Sequence, residues 1–316
     1  MTDSEARTNP LDQFDASLRL PNSGIVGLTG GCGVTTAALL AESLHRSSKA
    51  TILLLTAHHD EAEEAIAIWR SLQAYAFHFA PLDPISPDVL PNASALTRRL
   101  DTVRCAGEGA PMLVAASMSA LMQGCMTVDE ARQWLVPLEE GQDCVPGELV
   151  QRLAEAGYHR TAIVSEPGDF ALRGDVVDLF PASGEPPVRL DFFGDELESI
   201  RGIDLDSMAS AERKKSTSLL LAPQEILKRD AHGQLVDFLP GPTTAILLEP
   251  LDLVERGRSA FDRSAVRSVH GPPRVLEAIL NRSTLQLEIS RSAGTAERQI
   301  QWPNSALPEL PSEPSE

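Results

Sequence analysis

Residues 24–36, GIVGLTGGCGVTT, hold five glycines within a stretch that leads from an apolar run into a helix-like one. Such a run is the raw material of a phosphate loop. That loop has the form G-x-x-x-x-G-K-[ST]: glycines let backbone N–H groups surround phosphate, the lysine opposes the β/γ-phosphates, and the hydroxyl serves Mg²⁺. In the best frame Gly33 and Thr35 match, with Gly30 and Gly31 inside the loop. Leu28 stands where the first glycine belongs, and Val34 replaces the lysine. Without that lysine the main charge facing a triphosphate is lost. No Asp-Glu pair follows a clear strand to hold Mg²⁺ either, since residues 112–116 run into Ser117. The expectation is a glycine-rich turn that packs a helix close to a sheet, with no catalytic residue, no metal and no cofactor. The enzyme alternative is a weak, nucleotide-binding nucleotidase that uses the Gly30–Thr36 turn, since a helix start can still bind an anion weakly.

A second cluster, His58-His59-Asp60-Glu61, has metal-binding residue types. Adjacent residues do not share a helical face, and acidic residues at a helix start complement its dipole. It reads as the opening of a helix. The short basic run Arg213-Lys214-Lys215 reads as a solvated loop. Trp69 and Trp134 fall in helical apolar patterns and are assigned to the core.

The stronger pattern lies in residues 168–204, GDFALRGDVVDLFPASGEPPVRLDFFGDELESIRGID. Two strands joined by the Gly/Pro-rich residues 181–187 are expected. On strand alternation the even positions Phe170, Leu172, Val176, Phe180, Val188, Leu190 and Phe192 form a core face, interrupted by Gly174 and Asp178. The odd positions carry Arg173, Asp175, Arg189, Asp191 and Phe193, with Val177 and Leu179 breaking the alternation. Arginine and large aromatics anchor protein–protein contacts, so Arg173, Arg189 and Phe193 predict a docking surface.

The totals agree with a protein partner. There are 45 Asp+Glu against 27 Lys+Arg, a net charge of −18. A nucleic-acid binder usually shows a basic excess, so this balance argues against tight DNA binding by this chain alone. Cys32, Cys105, Cys125 and Cys144 show no C-x-x-C spacing, which points to reduced thiols in a cytoplasmic protein rather than a zinc site. The polar N-terminus is unlike a signal peptide, and no run of about 18 apolar residues suggests a membrane span.

These candidates need elements to carry them. Strand–helix alternation from residue 23 (helix 35–46, strand 50–56, helix 58–73, strand 75–80, helix 95–106, strand 112–116, short helix 117–126) implies a parallel sheet with helices on its faces. Residues 81–91 are too proline-rich for regular structure. A helix at 146–156 opens a β-rich segment. After residue 207 the alternation returns, with a strand at 219–221, a helix near 224–228, a strand at 244–248 and helices at 250–262 and 273–281. The fold class is therefore α/β, a degenerate P-loop/helicase-like parallel sheet with an inserted β-rich α+β domain.

The run GDFALRGDVVDLFP…VRLDFFGDELESIR resembles the second domain of the UvrB-homology module. The excision-repair helicase UvrB and the transcription-repair coupling factor family share this module. GLTGGCG, PLDPISPD, VAASMSALMQ and GYHRTAIVSEPGDFALRG extend the likeness over roughly residues 20–290. UvrB-like chains keep the P-loop lysine and an aromatic hairpin that enters damaged DNA. Val34 and the absence of Tyr or Phe from residues 81–91 resemble the coupling factors instead. The resemblance implies a polar lead-in at 1–22, a degenerate helicase-like domain 1a at 23–134, an inserted UvrA-binding domain 2 at 135–208, domain 1b at 209–290, and a linker or disordered tail at 291–316. It implies UvrA as partner through Arg173, Arg189 and Phe193. A non-catalytic adaptor of transcription-coupled excision repair is expected; a UvrB-type damage-binding module is the alternative. The family's RNA-polymerase-binding and translocase domains are not expected in these 316 residues, which could be a fragment, a split gene or a stand-alone paralogue.

Overall fold

The computed structural model describes residues 20–30, 33–82, 93–183, 185–205, 207–222, 233–263, 269–291 and 296–301. In chain order the first unit contains β1 (Gly24–Thr29), α1 (Val34–Ser48), β2 (Thr51–Thr56), α2 (His59–Ser71), β3 (Phe77–Phe79), α3 (Ala93–Ala106), β4 (Leu113–Ser117), α4 (Met118–Met122) and α5 (Val128–Arg132). A second unit follows: β5 (Leu135–Glu139), α6 (Pro146–Glu155), β6 (His159–Arg160), β7 (Asp169–Arg173), β8 (Val176–Leu179), β9 (Val188–Phe193), β10 (Glu196–Ile203), β11 (Ser210–Lys214) and β12 (Ser216–Leu220). The chain then returns to the first unit with α7 (Leu235–Phe238), β13 (Thr243–Leu248), α8 (Pro250–Arg263), α9 (Pro272–Arg282), β14 (Ser283–Ser290) and β15 (Arg298–Gln301).

The first unit is a parallel seven-stranded sheet of order β15-β1-β14-β13-β2-β4-β3. Strands β2, β4 and β13 are buried along their whole length because helices cover both faces. Ile52 and Leu54 of β2 pack with α1 and α2, whereas Leu53 and Leu55 pack with α3, α4, α8 and α9. Trp69 is buried as expected, and its Nε1 donates to the Ala38 carbonyl at 2.7 Å, tying α2 to α1. Trp134 is half-buried against the opposite core. Cys105 and Cys125 are buried free thiols, and burial pushes both pKa values up to about 12.

The second unit has its own core, which includes Leu153, Phe170, Val177, Leu190 and Leu197. Its main sheet has the order β11-β10-β9-β8-β7-β6, and α6 supplies Leu149 and Leu153 to the core. β5 and β12 pair antiparallel from Leu135↔Leu220 to Glu139↔Ser216. Their ladder brings the entry and exit of the unit side by side. The fold is thus α/β with an inserted β-rich unit.

Several expectations change. Residues 168–180 do not form one strand: β7 and β8 are an antiparallel hairpin joined by Gly174-Asp175. Arg213 and Lys214 lie in an edge strand rather than a loop. β11 and β12 carry the inserted unit past residue 208, to about Leu221, whose amide donates to the Trp134 carbonyl at 2.9 Å. Arg298–Gln301, assigned to a tail, pairs in parallel with β1. The short helix expected at 117–126 ends at Met122. Most of the lead-in, most of the proline-rich stretch 81–91, the helix near 224–228 and the tail beyond Gln301 lie outside the described residues.

Candidate protein-docking face

The hairpin turn decides which side chains share a face. Residues directly opposite in an antiparallel pair point the same way. The register Phe170↔Leu179, Leu172↔Val177 and Val177↔Leu190 therefore gives one face made of Phe170, Leu172, Val177, Leu179, Val188 and Leu190. That face packs on α6 and the β5–β12 ladder. Ala171↔Asp178↔Arg189 and Arg173↔Val176↔Asp191 belong to the other face. Val177 and Leu179, which seemed misplaced, are core residues, because the two-residue turn reverses the parity of β8, and the β8–β9 connection restores it at Val188 and Leu190. Val176 and Phe180 move off the core face for the same reason. Phe180 joins Val164, Ala171 and Ile203 in a small separate cluster.

Glycine makes this turn possible. Gly174 has φ 59°, and Gly194, in the equivalent Gly194-Asp195 turn between β9 and β10, has φ 63°. Two-residue hairpin turns favour glycine at a first position with φ > 0.

Arg173, Arg189 and Phe193 do share the second face, but they are not equivalent. Phe193 is 78% exposed, the condition of an unburied anchor. The Arg173 side chain is 51% exposed; Nη1 lies 3.9 Å from Asp178 Oδ2, and Nη2 donates to the Ala162 carbonyl. Ile163, next in sequence to Ala162, is a second exposed apolar side chain. Arg189 is only 21% exposed, and its Nε and Nη2 donate to the two oxygens of buried Asp178 at 2.6 and 2.9 Å. The Asp178 carboxylate raises the Arg189 pKa. Most of the Arg189 fork is therefore engaged inside the sheet, and Arg173 and Phe193 are the groups offered outward. Asp178 itself, first read as a flaw in the apolar face, is the residue that fixes both arginines. The Gly-Asp dipeptides flanked by strand residues are the signal that would have located it.

The glycine loop has a different character. β1 ends at Thr29, and Gly30 (φ 91°) donates its N–H to the Ser290 carbonyl at 3.2 Å. Gly33 caps α1 in an extended conformation, and Val34 packs against the apolar core instead of presenting a charge. Thr35 Oγ1 donates to Glu64 Oε1 at 3.3 Å, so its hydroxyl is engaged by α2. Gly31 and Cys32 lie outside the described residues. At the start of α2 the His58 N–H donates to Glu61 Oε2 at 3.0 Å, a capping arrangement in keeping with a helix opening. Among the described residues no helix is long and apolar enough to cross a membrane.

Residues 136–225 match the model of the UvrB interaction domain, a span that contains the whole face described above. The chain is 30% identical over 270 residues to the transcription-repair-coupling factor of Myxococcus xanthus, covering 79% of this chain and 22% of that protein. The coupling factor of Bacillus subtilis is 29% identical over 150 residues, 48% of this chain and 13% of its own length. That of Staphylococcus aureus strain USA300 is 23% identical over 220 residues, 69% and 18% respectively. The chain therefore spans at most about a fifth of the length of these curated relatives. These similarities support an N-terminal module of the coupling-factor kind.

Proposed function

We propose that this chain, which carries a UvrB interaction domain inside a coupling-factor-type module, is a non-catalytic adaptor that recruits UvrA in transcription-coupled excision repair. The observation that carries the reading is the open face of the inserted sheet. Phe193 stands exposed on it, and Arg173 is fixed nearby by Asp178 and the Ala162 carbonyl. An aromatic anchor beside a guanidinium is the composition of an interaction hot spot. Phe193 would enter an apolar pocket, and Arg173 would make a charge-assisted contact with an acidic group. Val34 at the lysine position of the glycine loop supports the absence of nucleotide hydrolysis, because phosphoryl transfer depends on positioned positive charge.

The test is a titration of purified UvrA with the wild-type chain and with Phe193→Ala and Arg173→Ala. Each variant is expected to bind at least about 2 kcal/mol more weakly, in the hot-spot range. Thermal melting should be unchanged for Phe193→Ala, because the ring is not part of the core. Wild-type affinity in both variants would remove the assignment of this face.

A further inference from the structure

The same face carries a second arrangement of charged side chains. The register pairs Arg189 of β9 with Arg201 of β10, and Arg201 with Arg213 of β11. Three arginines thus stand directly abreast on three neighbouring strands of a chain whose net charge is −18. Like charges directly opposite on a sheet are destabilising, and a departure from a local rule of this kind marks a functional element. The sheet offsets the repulsion with one acid per arginine: Asp178 for Arg189 at 2.6 Å, Asp191 for Arg201 at 3.7 Å, and Glu140 for Arg213 at 2.6 Å. Ser199 Oγ also donates to Asp191, which holds that carboxylate under the row. The guanidiniums nevertheless face outward to an increasing extent, with side-chain exposures of 21%, 44% and 61% along the row.

We propose that Arg201 and Arg213 extend the docking face into a basic strip that receives an acidic strip of the protein partner. The proposal rests on the docking reading above and adds to it the chemistry of a second contact zone. On the lattice of a sheet, adjacent Cα atoms in this row are about 5 Å apart, so the strip is about 10 Å long. Carboxylates at i and i+4 of a helix, whose Cβ atoms are about 6 Å apart, match that spacing. Phe193 lies two residues beyond Asp191 along β9, so the strip sits on one side of the anchor and Arg173 on another. The occupant is protein rather than nucleic acid for two reasons. Each arginine keeps a carboxylate partner, so the partly neutralised strip suits a few carboxylates, and the net charge of −18 opposes the long uniform charge of a phosphate backbone far more than a short acidic strip.

UvrA titration at a series of salt concentrations tests the proposal, using Arg201→Glu, Arg213→Glu, the double variant and Phe193→Ala, each checked by circular dichroism for an unchanged fold. The double variant should bind at least 10-fold more weakly with a flatter salt dependence, and Arg201→Lys should recover part of the loss. Phe193→Ala should weaken binding without flattening the salt dependence. Wild-type affinity and salt slope in the double variant, with Phe193→Ala still defective, would overturn the strip and leave the docking reading standing. Wild-type binding by Phe193→Ala and Arg173→Ala as well, or no UvrA binding by the unmodified chain, would overturn both. A labelled DNA duplex that binds the chain and is released by the same charge reversals would replace the acidic protein strip with phosphate.

Discussion

Asp178 shows most clearly how one residue sets the docking face. It is buried, accepts two short hydrogen bonds from Arg189, and lies within 3.9 Å of Arg173. Removing one partner of a buried ion pair leaves the other uncompensated, which costs about 3 kcal/mol or more. Asp178→Ala is therefore expected to lower the melting temperature of the inserted unit by about 10 °C or more, on the scale of a unit of this size. It should also weaken UvrA binding, by releasing Arg173 and Arg189 from their set positions. Asp178→Asn, which keeps one acceptor oxygen for Arg189 but sets an amide NH2 against its second N–H, should fall between. A calorimetric melt of Asp178→Ala within about 1 °C of wild type would contradict this role. The sequence pattern assigned Phe193 and Arg173 to the same face by odd-position alternation, and in the structure each immediately precedes a Gly-Asp turn. It missed the division of labour between the arginines, since exposure depends on which strand Asp178 pairs with.

The α/β body was legible at the level of elements because its signals are local: apolar runs of strand length alternate with amphipathic helices and glycine or proline punctuation. The core strands near 51–56, 113–117 and 243–248 and the helices between them appear close to the positions their patterns imply. β14 and β15 were not legible. They are stabilised by parallel pairing with β1 and β13, partners far away in the chain. Gln299 illustrates how specific such docking is: a Cβ on Gly27 would lie 2.3 Å from Gln299 Oε1, so β15 settles on β1 where glycine leaves room. The β7–β8 hairpin was misread because Gly174 was treated as an interruption of one strand instead of a turn. Its φ of 59° makes the position costly for any other residue, about 1–2 kcal/mol. Gly174→Val should accordingly lower the melting temperature by about 5 °C or more and weaken UvrA binding, because Arg173 immediately precedes the turn. Melting and binding measured on the same preparation check both effects; an unchanged melt would show that the turn tolerates a side chain.

At the scale of the whole molecule, the two units should respond differently to acid and to excision. In the α/β body, His78 of β3 is buried, with Nδ1 3.3 Å from Arg98 Nη1 and Nε2 without a partner. Burial, then the charges of Arg98, His59 and Arg70, lowers its pKa from 6.5 to about 4; Glu63, 3.9 Å from Arg98, faces the same cluster. A histidine that is neutral when folded and protonated when unfolded stabilises the fold fully above about pH 6.5. That contribution falls away as the pH drops toward 4, by a total of about 3 kcal/mol. The body should lose stability across this window, and His78→Gln should flatten the loss; an identical pH profile in the variant would exclude His78 as its source. Among its described residues the inserted unit carries no buried histidine, and its geometry permits separation. The β5–β12 ladder sets Leu135 opposite Leu220, and the unit has a core distinct from those of the parallel sheet. Residues 134–222 should therefore fold alone, with a cooperative melt and protected amides in β7–β10. The Ser94 Oγ bond to the Ala182 carbonyl is one of the ties to the body that excision would break. If the docking face is complete within this unit, the excised fragment binds UvrA with the affinity of the whole chain. A folded fragment that binds at least 10-fold more weakly would instead place part of the contact on the α/β body.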